Sequence, residues 1–470
     1  MDDRRSAPAR PSGRGRHTDV VVVGAGHSGL AMSALLAGRG IDHVVLERGE
    51  AGHAWRTERW DSLRLLTPNW MCRLPGMAYD GDDPNGYMGA AQVAALVARY
   101  AAELHAPVHP CTTVRRVSAR GNGYQVHTDQ GDWHCRVVVL ASGAFRRAWI
   151  PPIADRVPAS VQQCSVHAYR RPTDLAPGAV LVVGASASGL QLAQELRASG
   201  RRVLLACGEH VRMPRRYRGH DVQWWLLASG VLDQRIDQVD DPVRARALPS
   251  PQLSGGHPPA TLDLNAVQRQ GVELCGRLVG VAGTRAQFAG ALAHVCALAD
   301  LKMNRMLGGF DAWAADAGID GELVPVERFA ATQLPMRPRL QVQLGDEIRS
   351  IVWATGYRAD FDWLDLPVFD RRGALRHDRG VVDAPGLYVL GLPFMRRRKS
   401  SFIHGAEDDA RELLQHLLAH LDHRTGTEAH NAAASAAAQA DHAVTARATG
   451  IRPGPSPMRA GALVDRWRWG

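Results

Sequence analysis

Two glycine-rich turns stand 160 positions apart, each at the end of an aliphatic run. The first is Val20-Val21-Val22-Val23 leading into Gly24-Ala25-Gly26-His27-Ser28-Gly29. The second is Val180-Leu181-Val182-Val183 leading into Gly184-Ala185-Ser186-Ala187-Ser188-Gly189. Glycine at the first position permits a tight turn, a small third residue lets backbone approach a pyrophosphate, and a final glycine lets a helix pack close to the strand. The amides that open this helix then face the phosphates. One such turn holds one dinucleotide. Two imply that two dinucleotides meet, and the chemistry open to that pair is hydride transfer between a nicotinamide and a flavin.

The strand after each turn separates the two ligands. After the first, Val44-Val45-Leu46 ends in Glu47, where an acid grips a ribose diol, and Arg48 follows. Gly24, Gly26, Ser28, Gly29, Glu47 and Arg48 are therefore expected to hold FAD. After the second, Val203-Leu204-Leu205-Ala206 ends in Cys207-Gly208 with no acid. An acid there would repel the 2′-phosphate of NADPH, whereas arginine accepts it bidentately. Arg201, Arg202, Arg212, Arg215 and Arg216 flank that strand. NADPH is thus expected on Gly184, Ser186, Ser188 and Gly189, with Arg202 and Arg215 on its phosphate.

Composition narrows the function classes. The formal charge of +9 comes almost wholly from arginine, since Lys302 and Lys399 are the only lysines, and it reads as a codon bias rather than a nucleic-acid stripe. No run of about eighteen apolar residues is present, which argues against a membrane span. The polar, basic start from Met1 to Arg16 lacks the apolar segment of a secretory signal. Seven scattered cysteines without a CxxC pair suggest reduced thiols in a cytoplasmic protein and exclude a disulfide-reducing flavoenzyme. No HExxH or CxxC spacing occurs among the histidines and cysteines, so no metal site is expected.

The elements suggest an α/β chain of two dinucleotide-binding, Rossmann-like domains, with the FAD domain interrupted by the NADPH domain. Residues 1–18 read as a disordered tail and 19–152 as the first FAD segment, closing on Val137-Val138-Val139-Leu140 and the turn Ala141-Ser142-Gly143. Residues 153–330 read as linker and NADPH domain. Residues 331–424 read as the returning FAD segment, containing Ile351-Val352-Trp353-Ala354-Thr355-Gly356 and Gly386 to Gly391. Residues 425–470, rich in Ala, His, Gly and Pro, read as a mostly disordered tail. Ala141, Thr355 and Gly391, at strand ends, are expected to border the cofactors, and Val114 to lend its backbone to an adenine.

Val22 to Leu30, then Trp55-Arg56 and Arg59-Trp60-Asp61-Ser62-Leu63-Arg64-Leu65, resemble the flavin-containing monooxygenases, the class B flavoprotein monooxygenases. The second turn and Trp353-Ala354-Thr355-Gly356-Tyr357 extend the match, which is similar to the bacterial branch near the indole-3-pyruvate monooxygenases. The resemblance implies that Trp55, Arg56 and Thr67 border the flavin. It implies that NADPH reduces FAD, that O2 then gives a C4a-(hydro)peroxyflavin, and that one oxygen atom enters a small organic substrate. Two alternatives stay open: NADPH oxidation without oxygenation, and oxidative decarboxylation of a keto acid. A homodimer is compatible with the family.

Departures from the family pattern matter as well. The family linker has a form near FxGxxxHxxxW/Y. With Tyr169 at its aromatic end, Ser165, Val161 and Ala159 take the other places, and His167 falls two residues off. N-oxygenating members carry an asparagine where Leu66 stands; Asn69 lies three residues on. Asn69, Arg398 in the run Arg396-Arg397-Arg398-Lys399, and His404 as a proton donor complete the catalytic candidates.

Overall fold

A computed structural model describes residues 15–256 and 259–422. The expected tails at residues 1–14 and 425–470 lie outside the described residues. Up to Leu417 the chain forms one unit, and of a second unit, Leu418–Gly470, only residues 418–422 are described.

Within the first unit two separate sheets carry the two glycine turns. The larger, ten-stranded sheet has a parallel centre. Strand Arg16–Val23 lies between Gly131–Leu140 and His43–Leu46, with Val108–His109 beyond the latter. Val20, Val21 and Val22 are fully buried, as a strand covered on both faces requires. Helix His27–Ala37 follows the turn and buries Leu30, Ala31, Met32 and Leu36. The antiparallel strands Val114–Arg120 and Gly123–Thr128 extend the sheet beyond Gly131–Leu140.

The second sheet is entirely parallel, in the order Glu273–Gly276, Val203–Cys207, Ala179–Val183, Ile348–Trp353 and Gln162–Ser165. Buried aliphatic clusters cover both its faces. The arrangement around the turn repeats that of the first sheet: the turn-bearing strand has the next strand in sequence on one side and a late-arriving strand on the other. Two Rossmann-like units therefore occur in one chain.

Two boundaries differ from the sequence reading. The first strand begins at Arg16, so Arg16, His17 and Thr18 are not tail: they pair with Trp133, His134 and Cys135. The long partner strand offers backbone hydrogen bonds there, and Arg16 lies 5.2 Å over the Trp133 ring. The second difference is larger. Strand Ile348–Trp353, expected in the returning FAD segment, pairs with Ala179–Val183 and belongs to the second sheet. The return to the first sheet comes later, where Leu364–Asp365 joins Val114–Arg120 and Leu387–Val389 joins Gly131–Leu140. A short buried parallel strand is apolar whichever sheet receives it, so its pattern does not name its neighbour.

Candidate functional site

Each turn is glycine where backbone meets backbone. Gly24 has φ +109°, and a Cβ there would lie 2.6 Å from the Ala141 carbonyl oxygen. Gly184 has φ +113°, and its Cβ would lie 2.3 Å from the carbonyl oxygen of Ala354. A Cβ on Gly29 or Gly189 would approach the carbonyl oxygen of Gly24 or Gly184 to 1.9 or 1.8 Å. Helix, turn and a third strand thus lock together in the same way twice.

The middle position behaves differently. Gly26 is extended, with φ −82° and ψ −179°, and no protein atom would lie within 4 Å of a Cβ there. Ser186 adopts nearly the same angles, −84° and −173°. Glycine at 26 is demanded by no protein neighbour; it leaves open a backbone cradle of the kind a pyrophosphate fills. Both cradles line one cavity of about 1640 Å³, bounded by Gly24, Gly26 and Ser28 of the first turn and Gly184, Ser186 and Ser188 of the second. Gly29 and Gly189 stand behind it, in the helix–strand contact.

At the first turn the residues fit an adenine dinucleotide. Glu47 is buried and lines the cavity. The Ala25 amide donates to its Oε2 at 2.8 Å and the Gly49 amide to its Oε1 at 3.1 Å. A carboxylate has about four acceptor sites, so oxygens so held can still accept from a diol. Arg48 lines the cavity paired with Glu58, and Trp55 lies under the Arg59 guanidinium at 5.2 Å. Thr67, Val114, Ala141, Thr355 and Gly391 also border the cavity. Gly391 has φ +84°, and a Cβ there would meet Ser28 Oγ at 2.6 Å. Arg56 does not border the cavity; its guanidinium pairs with Glu50 on the outer side of the short helix His53–Thr57.

The arginines singled out for the second nucleotide have other partners. Arg202 sits at the amino end of strand Val203–Cys207, away from the turn, between Glu347 at 3.0 Å and Glu273 at 3.3 Å. Arg215 is buried, bonded to Asp221 at 2.5 Å and the Leu66 carbonyl at 2.9 Å, with its guanidinium 4.8 Å over Tyr87. Arg201 donates to the carbonyls of Pro172, Leu175 and Ala176, and Arg216 to that of Gly219. Arg212 reaches the cavity wall but is neutralised by Asp263 and Asp300. Glu209, next to Gly208, lines the cavity but is paired with Lys302 at 3.1 Å, and the cation beside that strand end is Arg277, at the end of the adjacent strand. A Cβ on Gly208 would lie 3.8 Å from Arg277 Cγ, and this guanidinium borders the cavity without a partner among the described residues. Its place, 69 residues beyond Gly208 in sequence, gave no local signal.

Of the three catalytic candidates, only Arg398 borders the cavity. Asn69 is buried behind the wall, donating to the Asp83 carbonyl at 2.9 Å and accepting from the Met88 amide at 2.8 Å, so it fixes a loop. His404 is also buried outside the cavity. Burial first, then Lys399 and Arg73, lower its pKa to about 4, so it is neutral near pH 7 and lacks the imidazolium form that a general acid would use. The displaced linker histidine has a structural role. His167 Nε2 bonds the Phe145 carbonyl at 2.6 Å, while Tyr169 meets Glu195 and Arg170 donates to the Arg59 carbonyl. The segment ties the two Rossmann-like halves together despite its altered spacing.

Among the described residues no helix is long and apolar enough to cross a membrane, and no cluster of three metal-ligating side chains occurs. All seven cysteines are free.

Comparisons with known proteins agree with this geometry. The pyridine nucleotide-disulphide oxidoreductase family model matches residues 21–238. The chain is 30% identical over 415 residues to the uncharacterized oxidoreductase CzcO-like of Geobacillus kaustophilus, spanning 86% of this chain and 99% of that one. It is 31% identical over 182 residues to an indole-3-pyruvate monooxygenase of Oryza sativa subsp. japonica, 37% of this chain and 44% of that protein. The solved flavin-containing monooxygenase from Stenotrophomonas maltophilia shares its fold, with a TM-score of 0.61 at 20% identity over 86% of this chain and 99% of that one.

Proposed function

This chain belongs to the flavin-containing monooxygenase family, and we propose that it is an FAD- and NADPH-dependent oxidoreductase that inserts one oxygen atom of O2 into a small organic molecule. The observation that carries this reading is the single cavity bordered by both open cradles, Gly26 and Ser186. Two dinucleotides seated on these turns extend into one space. Bound FAD supplies hydride acceptance from NADPH and the activation of O2.

The chain's own residues bind, orient and exclude water. The Gly24–Gly29 turn and its helix N-terminus take the FAD pyrophosphate, and Glu47 takes a ribose diol. The Gly184–Gly189 turn takes the NADPH pyrophosphate. Arg277, beside Gly208, takes the 2′-phosphate that an acid at that strand end would repel. Trp55, Trp60, Leu65 and Phe402 line apolar parts of the wall and keep water from the reacting atoms. No protein nucleophile is required.

The altered linker spacing by itself favours NADPH oxidation without oxygenation. That segment, however, contacts both Rossmann-like halves through Tyr169 and Arg170. The test is anaerobic reduction of the purified holoprotein by NADPH, followed by rapid mixing with O2. A transient absorbance that precedes recovery of oxidised flavin is expected. Direct recovery with stoichiometric peroxide in solution would assign the protein to the oxidases, and no reduction by NADPH would remove the enzyme reading.

A further inference from the structure

The loop after Gly391 carries four consecutive cations, Arg396 to Lys399. Three are answered by carboxylates. Arg396 meets Glu412 at 2.7 Å, Arg397 meets Asp409 at 3.0 Å, and Lys399 meets Asp233 and Asp408, each at 2.6 Å. Arg398 has no carboxylate partner among the described residues. Its Nε donates to Gln234 Oε1 at 2.7 Å, its guanidinium lies 4.8 Å over the Phe394 ring, and it faces the cavity.

A second guanidinium meets the same phenylalanine. Arg246 Nε donates to the Phe394 carbonyl at 3.3 Å, and Arg246 also borders the cavity without an ion pair among the described residues. Burial lowers the pKa of both guanidiniums, with Asp378 opposing the effect at Arg246. The two cations thus contact one phenylalanine, Arg398 over its ring and Arg246 at its carbonyl, in a partly desolvated space, and an anion there would offset their desolvation. The nearby wall is apolar, with Val231, Leu232, Phe402 and Ile403.

Building on the monooxygenase reading, we propose that Arg398, assisted by Arg246, binds the carboxylate of the organic substrate, so that the substrate class is a carboxylic acid with an apolar body. The alternative anion is a phosphate of NADPH. The position of the loop favours the substrate. Gly391, which begins it, packs on Ser28 of the first turn, whereas the second turn is closed by Ala354 and has Arg277 at its strand end. The three neutralised cations serve to hold Arg398: they pin its loop to Asp233 and to the acids of the helix that starts at residue 406.

The test is isothermal titration of FAD-loaded protein, without NADPH, using a matched pair of probes. Phenylpyruvate carries an aryl body, a ketone and a carboxylate; phenylacetone lacks the carboxylate. Phenylpyruvate is expected to bind roughly ten- to a hundredfold more tightly. Arg398→Ala should erase that preference, Arg246→Ala should reduce it, and Arg398→Lys should retain part of it, because a point charge replaces a fork. FAD content and melting temperature check that the variants are folded, and NADPH affinity should stay at the wild-type value. Equal binding of the two probes, no binding of phenylpyruvate at millimolar concentration, or an Arg398→Ala variant that keeps the preference would overturn the proposal. A tenfold loss of NADPH affinity in that variant would also overturn it, placing the nucleotide phosphate there instead. The reaction with O2 plays no part in this measurement, so failure of the oxygenation reading shows separately.

Discussion

The two glycine turns are nearly superposable in their backbone demands and differ where a ligand would discriminate. Gly24 and Gly184 share a positive φ, Gly29 and Gly189 share a forbidden Cβ, and each turn closes on the carbonyl of an alanine after a third strand. The strand ends then diverge. One presents Glu47, tethered by the amides of Ala25 and Gly49; the other presents Gly208 beside Arg277. Position 27 diverges too, with a histidine in the first turn where Ala187 stands in the second. Shared turn geometry follows from chain packing, whereas on the proposed reading ligand identity rests on one side chain at each strand end.

The harshest test of the shared half replaces the packed glycines. Gly29→Ala and Gly189→Ala each push a methyl group into a carbonyl oxygen and should cost more than about 3 kcal/mol, read by denaturant unfolding. Gly26→Val should behave in the opposite way. Its side chain meets no protein atom, so the apoprotein should stay within about 1 kcal/mol of wild type, while FAD retention is lost. If Gly26→Val protein purifies with stoichiometric flavin, the cradle is not a phosphate site.

The specialised half is tested at the strand ends. Glu47→Gln removes the charge proposed to take the ribose diol and weakens one of its two backbone tethers. FAD affinity should fall about ten- to a hundredfold, measured by flavin titration of apoprotein. Arg277→Ala should raise the KM for NADPH about ten- to a hundredfold and leave that for NADH nearly unchanged. Arg202→Ala, away from the turn, should alter neither. Should Arg202→Ala lose NADPH and Arg277→Ala keep it, the assignment of the second strand end is wrong.

The smallest effect concerns pH. Burial lowers His27, and likewise His377 and His404, from 6.5 to about 4. Between those values the unfolded chain binds protons that the folded chain does not, so stability is complete above pH 6.5 and declines as pH falls toward 4. Changing His27 to the alanine of the second turn should make this decline shallower in unfolding curves taken across pH 4 to 7. An unchanged slope would show that His27 is protonated alike in both states.

Local pattern made much of this legible in advance. Val20 to Gly29 and Val180 to Gly189 announced strand, turn and helix, because buried parallel strands and backbone contacts restrict the residues allowed at each step. The repetition of Ala141-Ser142-Gly143 by Ala354-Thr355-Gly356 was visible as well, and it marks the third strand of each unit. What the pattern could not reveal was the sheet that strand Ile348–Trp353 joins, since its side chains are equally buried in either.

The sequence by itself determined two glycine turns of the phosphate-binding kind, with an acid directly after one following strand and none directly after the other, because these depend on residues within a few positions of each other. Only the tertiary structure decided which cations are free. Arg215 is absorbed by Asp221 and the carbonyl of Leu66, 149 residues away, and Arg202 by Glu273 and Glu347. Arg277 and Arg398 instead border the cavity with no carboxylate partner among the described residues. The reason is electrostatic: a guanidinium's role depends on which acids fold within a few ångströms of it, and that proximity is a property of the packed chain, not of its order.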